Sequence, residues 1–106
     1  MANSIAVLTA KAALTASLLV AAVGAANADD VTDRYNKSCA VCHAAGAAGA
    51  PKTGVTADWT PRMEKGMDTL VKSVEDGLNA MPPKGMCFDC SAKDYKALIE
   101  YMAKAK

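Results

Sequence analysis

The feature that most constrains this 106-residue chain is a five-residue motif near its middle, Cys39-Ala40-Val41-Cys42-His43. Two cysteines three positions apart lie on the same side of a helical turn, where both thiols can react with one flat partner. A histidine directly after the second cysteine can bind a metal ion at the centre of that partner. This spacing is the attachment pattern of c-type haem. We therefore expect thioether bonds from Cys39 and Cys42 to the haem vinyl groups, and iron ligation by His43.

Two other uses of these cysteines are weaker. A structural zinc site needs four protein ligands, so Cys87 or Cys90 would have to complete the set. The adjacent Cys42 and His43 also fit one tetrahedral ion poorly. A thioredoxin-like redox site would need a βαβ context, and the sequence carries no strand pattern.

The first residues have the pattern of a secretory signal peptide. Residues 12–24 form an apolar run, and a small-x-small cleavage pattern ends at Ala28. An uncleaved transmembrane anchor is the alternative, but the run is shorter than the roughly 20 residues that a spanning helix needs. We expect residues 1–28 to be removed and residues 29–106 to form one domain. The mature protein should be periplasmic, in a Gram-negative bacterium, with no membrane span.

The charges of this mature domain balance. Residues 29–106 contain 11 acidic residues and as many basic ones, so nucleic acid is not an expected partner. A domain of this size buries a limited core and often needs a staple or a cofactor. A haem would supply apolar volume that the few aromatic side chains do not.

The chain is predicted to be all-α, because helical signals alternate with glycine and proline and no strand pattern interrupts them. The first helix should run to about Ala40. Short helices should follow over residues 59–65, with Pro61 in the first turn, and over residues 67–76, each stopped by a glycine. A last helix should begin after Ser91, with an approximate capping box. We expect four to five short helices around one covalently attached haem.

The far side of the iron leaves a choice among methionines. His43 is the only histidine, so the second ligand is a methionine thioether or the position stays open. Met81 precedes two prolines, whose fixed φ stiffens the loop. Met86 follows in the same loop and is the rival. Loop placement favours Met81 modestly.

Cys87 and Cys90 form a second close pair. An even pair of cysteines in a small exported domain usually forms a disulfide, and this one would close a tiny loop just ahead of the last helix. The spacing also permits a redox-active pair, which would make the chain a thiol-disulfide redox protein.

These features together resemble the class I cytochromes c, and most closely the bacterial cytochrome c5 group. The likeness covers nearly all of the mature chain. It rests on Tyr35 ahead of the haem motif, the motif itself, the loop at residues 80–85, the Cys87/Cys90 pair and the ending at residues 98–102.

The resemblance implies the class I cytochrome c fold, Met81 as the second iron ligand and a disulfide between Cys87 and Cys90. It also implies that the first and last helices cross, with Tyr35 against Tyr101 and Leu98.

The expected function is single-electron carriage between exported or membrane-bound redox proteins, with no small-molecule substrate and no enzymatic activity. Ligation by His43 and Met81 would raise the reduction potential and keep the iron six-coordinate. Partner contacts should be small and transient, through small apolar residues that include parts of 44–50. A weak homodimer is compatible with this. The alternative is a haem enzyme or gas sensor with an open iron position, which would need a distal acid-base group.

Overall fold

The computed structural model describes residues 28–106, so the expected signal peptide lies outside the described residues except for Ala28. The helices of this part are α1 Ala28–Arg34, α2 Ala40–His43, α3 Thr56–Met63, α4 Met67–Asp76 and α5 Ala92–Ala103. A π-helical turn covers Tyr35–Cys39, and 3-10 turns cover Ala47–Gly49 and Pro83–Met86. Residues 28–106 contain no strand, only one isolated bridge. The predicted all-α fold is confirmed. None of the described helices is long and apolar enough to cross a membrane.

The first predicted helix is a longer, continuous segment that passes through the haem motif. Arg34 and Ala40, on either side of the π turn, both have right-handed helical backbone angles. The helix therefore runs on from α1 to His43, three residues beyond the predicted end. π turns are rare, and those that occur are frequent at functional sites. Tyr35 and Ser38 are the buried side chains of this turn.

The prediction for α3 was wrong at its start. The helix begins at Thr56, so Pro61 lies inside α3 and not in its first turn. The physical reason is a contact with the preceding loop. The Asp58 carboxylate accepts the backbone N–H of Lys52 at 3.0 Å, and the Trp59 indole N–H donates to the Lys52 carbonyl at 2.9 Å. Both bonds fasten α3 to the loop after the haem motif.

Helix α4 has the predicted limits, and α5 begins directly after Ser91 as predicted. A glycine with φ of +86° follows α4, and the first turn of α5 carries the predicted capping box. In this box the Ser91 N–H donates to an Asp94 carboxylate oxygen at 2.8 Å, while the Asp94 N–H donates to the Ser91 hydroxyl at 3.3 Å. Two backbone N–H groups at the start of the helix, which have no partner within it, are thereby hydrogen-bonded.

The core of the described residues is small and centres on α5. Its buried apolar side chains are Tyr35, Trp59, Cys87, Tyr95, Leu98, Ile99 and Met102. The Tyr35 ring packs against the Tyr101 ring with centroids 5.0 Å apart. The N-terminal helical segment and α5 are therefore in contact, as the resemblance implies.

We expect the Asp94→Asn variant to be less stable than the wild type near neutral pH, by roughly 0.3–1 kcal/mol, the usual contribution of a carboxylate at a helix N-terminus. The Ser91 backbone N–H, together with the Ser91 hydroxyl and the nearby Arg34, holds the pKa of Asp94 below its ordinary value of 3.8. Because the folded-state pKa is depressed, the carboxylate stabilises the fold above that ordinary value. This contribution is lost as the pH falls through the lower, folded-state pKa.

Thermal unfolding between pH 7 and pH 2 measures this effect. The difference between wild type and Asp94→Asn should shrink toward the acid end. Asp68→Asn is the matched control, because Asp68 lies in the first turn of α4 without a capping box. Equal behaviour of the two variants would contradict the role of the box.

Candidate haem site

The three residues of the haem motif lie at the border of one cavity of about 490 Å³. Cys39 precedes α2, and Cys42 and His43 belong to it. Both thiols are half-buried, and His43 is only 9% exposed. The continuous helix thus presents all three side chains to the same space, as the spacing predicts.

The cavity is walled by the hydrophobic core itself. Six of the seven buried apolar side chains line it: Trp59, Cys87, Tyr95, Leu98, Ile99 and Met102. Leu70 and Val74 of α4 line it as well. Its volume falls in the range of about 300–1,000 Å³ that is typical of small-molecule and cofactor sites.

The charged side chains at this cavity are all cations. Arg62, Lys65 and Lys84 line it, and no carboxylate of the described residues does. An apolar cavity with basic residues among its lining fits a flat apolar ligand that carries acidic groups.

The imidazole of His43 is fixed in one orientation. Its Nδ1 lies 2.9 Å from the carbonyl oxygen of Pro51. Because a carbonyl only accepts hydrogen bonds, Nδ1 carries a proton, and Nε2 is the ring nitrogen that remains available to a metal ion. The ring also stacks on Trp59 with centroids 5.8 Å apart. This is the state of a histidine that is ready to bind a metal ion through Nε2.

Burial raises the pKa of the Cys39 thiol to about 11. The thiol is therefore protonated at neutral pH. Cysteines that act as nucleophiles or as metal ligands in redox enzymes have a lowered pKa. Cys39 does not have the environment of a thioredoxin-like nucleophile.

Both candidate methionines line the same cavity, in different settings. Met81 is half-buried and closes a tight turn. Its N–H donates to the Leu78 carbonyl at 2.9 Å and its carbonyl accepts the Leu78 N–H at 3.0 Å. Asn79 inside the turn has a φ of +53°, which asparagine tolerates better than most residues. Met86 is 54% exposed. The sequence did not predict the turn, although Asn79 is a weak signal for it.

Comparison with known proteins decides the family. Residues 26–102 match the family model described as cytochrome C oxidase, cbb3-type, subunit III. Cytochrome c5 of Ectopseudomonas mendocina is 43% identical over 82 residues, which are 76% of this chain and 91% of that protein. The chain belongs to the class I c-type cytochromes. The predicted family and fold and the predicted cofactor, one covalent haem c, are confirmed, and the protein is an electron-carrying cytochrome c.

Solved structures agree with this assignment. A mono-haem ferrocytochrome c from Shewanella putrefaciens has 64% sequence identity and a TM-score of 0.64, covering 72% of this chain and 94% of that one. A cytochrome c in an electron transfer complex with nitrite reductase has 38% identity and a TM-score of 0.62, covering 68% and 88%.

The residues of the cytochrome fit a haem by their own chemistry. The cavity offers apolar walls, a histidine with a free Nε2 and two thiols on one helix. These are the groups that a covalently attached haem requires.

The second cysteine pair lies where the methionine loop, residues 78–86, meets α5. A disulfide joins Cys87 and Cys90, whose Cα atoms are 5.4 Å apart. The Arg34 guanidinium lies 3.2 Å from the Cys90 sulfur, and the Tyr95 hydroxyl donates to the Cys87 carbonyl at 2.9 Å. The sequence pattern indicated neither Arg34 nor the Tyr95 hydroxyl, because both contacts depend on the helix crossing.

We expect Gly77→Ala to disturb the Met81 turn, whereas Gly66→Ala should not. Both glycines border α4 at similar angles, with φ of +86° and +91°, so both substitutions add backbone strain of about 1–3 kcal/mol. A Cβ on residue 77 would also lie 3.0 Å from the Pro83 nitrogen and 3.1 Å from the Met81 carbonyl oxygen. A Cβ on residue 66 would meet nothing within 4 Å.

Thermal unfolding and the absorption spectrum of the oxidised holoprotein measure the two effects separately. Both variants should unfold at a lower temperature, and only Gly77→Ala should alter the spectrum. Identical spectra for the two variants would show that Gly77 does not support the Met81 turn.

Proposed function

We propose that the cytochrome is a single-electron carrier whose haem is bonded to Cys39 and Cys42 and whose iron is held by His43 and Met81. The observation that carries this proposal is that one apolar cavity is lined both by the haem motif and by a methionine in a hydrogen-bonded turn. The bound haem supplies an iron that alternates between the ferrous and ferric states.

The protein's contribution is to hold both ligands in place and to keep water away. The Pro51 carbonyl fixes the His43 ring, and the His43 carbonyl in turn accepts the Thr53 N–H at 2.8 Å. Met81 is held by the two hydrogen bonds of its turn. A neutral thioether binds iron weakly, so a ligand that loses little entropy on binding is favoured. Rigid ligands and apolar walls favour a raised potential and little reorganisation on electron transfer.

Met81 is favoured over Met86 by burial as well as by the turn. Met86 is more than half exposed, and its backbone has a φ of +69°. Its carbonyl is engaged by the Ser38 hydroxyl at 3.3 Å. An exposed thioether would compete poorly with water for the iron, whereas Met81 is half-buried at the cavity.

An open iron position with enzymatic or gas-sensing function has less support. Such a site needs an acid-base group on the far side. Among the described residues that line the cavity, His43 is the only imidazole and there is no carboxylate. The Tyr95 hydroxyl is engaged by the Cys87 carbonyl. We therefore propose that the protein is not an enzyme.

A thiol-disulfide function of Cys87 and Cys90 also has less support. Cys87 is buried in the core, and its carbonyl is tied to Tyr95 of α5. We propose that the bridge is structural and fastens the end of the methionine loop to α5.

We further propose that the protein works in the periplasm after cleavage behind Ala28, and that its partners are redox proteins. A structurally similar cytochrome c forms an electron transfer complex with nitrite reductase. Val41 is 72% exposed beside the cavity, and most of residues 44–50 are exposed. These small apolar side chains are the proposed docking face.

The ligand assignment is tested by Met81→Ala, with Met86→Ala as the matched control. Met81→Ala should abolish the weak methionine-to-iron charge-transfer band of the oxidised protein, lower the reduction potential and open the ferrous iron to carbon monoxide. Met86→Ala should leave all three unchanged. The spectrum recorded through a redox titration of each holoprotein measures this. The reverse result would move the ligand to Met86, and carbon monoxide binding by the untreated wild type would refute the carrier.

The docking face is tested by electron self-exchange between ferrous and ferric copies, measured by NMR line broadening. An apolar face predicts a rate that changes little as salt rises from about 0.01 to 1 M, which shortens the Debye length from about 30 to 3 Å. Val41→Glu should slow the exchange and make it salt-dependent.

Val55→Glu is the matched control, because it adds the same charge at a partly exposed valine that does not line the cavity. Its exchange rate should stay near the wild-type value. A wild-type rate that changes with salt by the roughly 10- to 1000-fold seen in charge-steered pairs would refute an apolar face.

A further inference from the structure

The segment that follows the Met81 turn has an unfavourable backbone. Lys84, Gly85 and Met86 have consecutive φ angles of +65°, +55° and +69°. Left-handed conformations are easily adopted by glycine but cost free energy at a lysine or a methionine, and they persist only where surrounding contacts hold them. The methionine loop therefore needs anchors outside itself.

Two side chains from other elements anchor this segment. The Ser38 hydroxyl donates to the Met86 carbonyl at 3.3 Å, and the Tyr95 hydroxyl donates to the Cys87 carbonyl at 2.9 Å. The second bond is the shorter one and is buried, with Tyr95 only 4% exposed. The other bonds here are local: Gly85 N–H to Pro82 O and Cys87 N–H to Lys84 O, both 2.9 Å, and a longer one from Cys90 N–H to the same Cys87 carbonyl at 3.3 Å.

The Tyr95 hydrogen bond lies at the end of the left-handed segment, where no other strong contact among the described residues fixes the loop. The disulfide begins at Cys87 and fixes only the residues after it. The Arg34 ion pairs with Asp89 and Asp94 are longer, at 3.9 and 3.7 Å, and are partly exposed, so they contribute little. The Cys87 carbonyl lies directly after the left-handed residues. A bond to it from the rigid helix α5 sets where the segment ends.

We propose that Tyr95 is a positioning residue for the proposed methionine ligand, Met81. Its hydroxyl holds the Cys87 carbonyl, which keeps residues 84–86 in their left-handed path and the Met81 thioether at the cavity. This inference rests on the proposed ligation by His43 and Met81. Tyr95 acts through the loop and not as a ligand.

The test uses the ferric holoprotein and the variants Tyr95→Phe and Tyr35→Phe. Each variant removes one hydroxyl from a buried ring and keeps the ring. The Tyr35 hydroxyl donates to the Thr53 hydroxyl at 2.9 Å, on the loop after the haem motif, and Tyr35 is 6% exposed and does not line the cavity. The readouts are the binding constant of added imidazole, which must displace the methionine, the charge-transfer band and the melting temperature.

We expect Tyr95→Phe to bind imidazole roughly fivefold more tightly, because the Cys87 carbonyl of the closed loop then loses its shorter hydrogen bond and keeps only the Cys90 N–H at 3.3 Å. Both variants should melt at a lower temperature than the wild type, because each loses one hydrogen bond. The imidazole affinity of Tyr35→Phe should change by about twofold or less. Equal affinities in Tyr95→Phe and wild type, or equal increases in both variants, would overturn the positioning role.

Failure of the ligand assignment looks different. A wild-type protein without the charge-transfer band, or one that keeps the band in Met81→Ala, would overturn Met81 ligation and this inference with it. A wild-type band that depends on Met81, together with an unchanged imidazole affinity in Tyr95→Phe, would overturn only the role of Tyr95.

Discussion

The rest of this structure depends on one constraint, a hydrophobic core too small to be complete without a ligand. Seven buried apolar side chains form the core of the described residues, and six of them also line the cavity. The apolar faces of Trp59, Leu98 and Ile99 are thus shared between protein and ligand. Since a domain of this size buries little surface, the haem of this cytochrome is part of its hydrophobic core. Haem binding therefore contributes directly to the stability of the fold.

The two loops at the cavity are held in place by different numbers and kinds of contacts. Three hydrogen bonds hold the loop after the motif. They join His43 to the Pro51 carbonyl, the Trp59 indole to the Lys52 carbonyl, and the Tyr35 hydroxyl to the Thr53 hydroxyl. The methionine loop has fewer tertiary bonds and more unfavourable backbone. An asymmetry of this kind suits the proposed ligands, because an imidazole binds iron strongly by itself and a thioether does not. The weaker ligand depends more on its anchors, which would give the Tyr95 hydroxyl of α5 a functional as well as a structural role.

Local signals allowed much of the fold to be predicted from the sequence. The limits of α4 and the capping box of α5 depend on glycines and polar residues within one turn, so they could be predicted. The haem motif also predicted that Cys39, Cys42 and His43 share one side of a helix, and all three line one cavity. The start of α3 could not be predicted, because the Asp58 carboxylate bonds to the loop before it. The π turn, the Met81 turn and the Tyr95 hydroxyl bond likewise depend on tertiary contacts that leave no period in the sequence.

The charge of the mature domain differs from the charge at the site. Acidic and basic residues balance over residues 29–106, yet the charged side chains at the cavity are Arg62, Lys65 and Lys84. The two carboxylates of a bound haem would offset most of this positive charge in place, so a nearly neutral surface would surround the cofactor. A neutral face cannot steer a distant partner. It selects partners by close apolar fit instead, and such contacts separate readily when they are small. A carrier that must meet one redox protein and leave for the next benefits from that weakness.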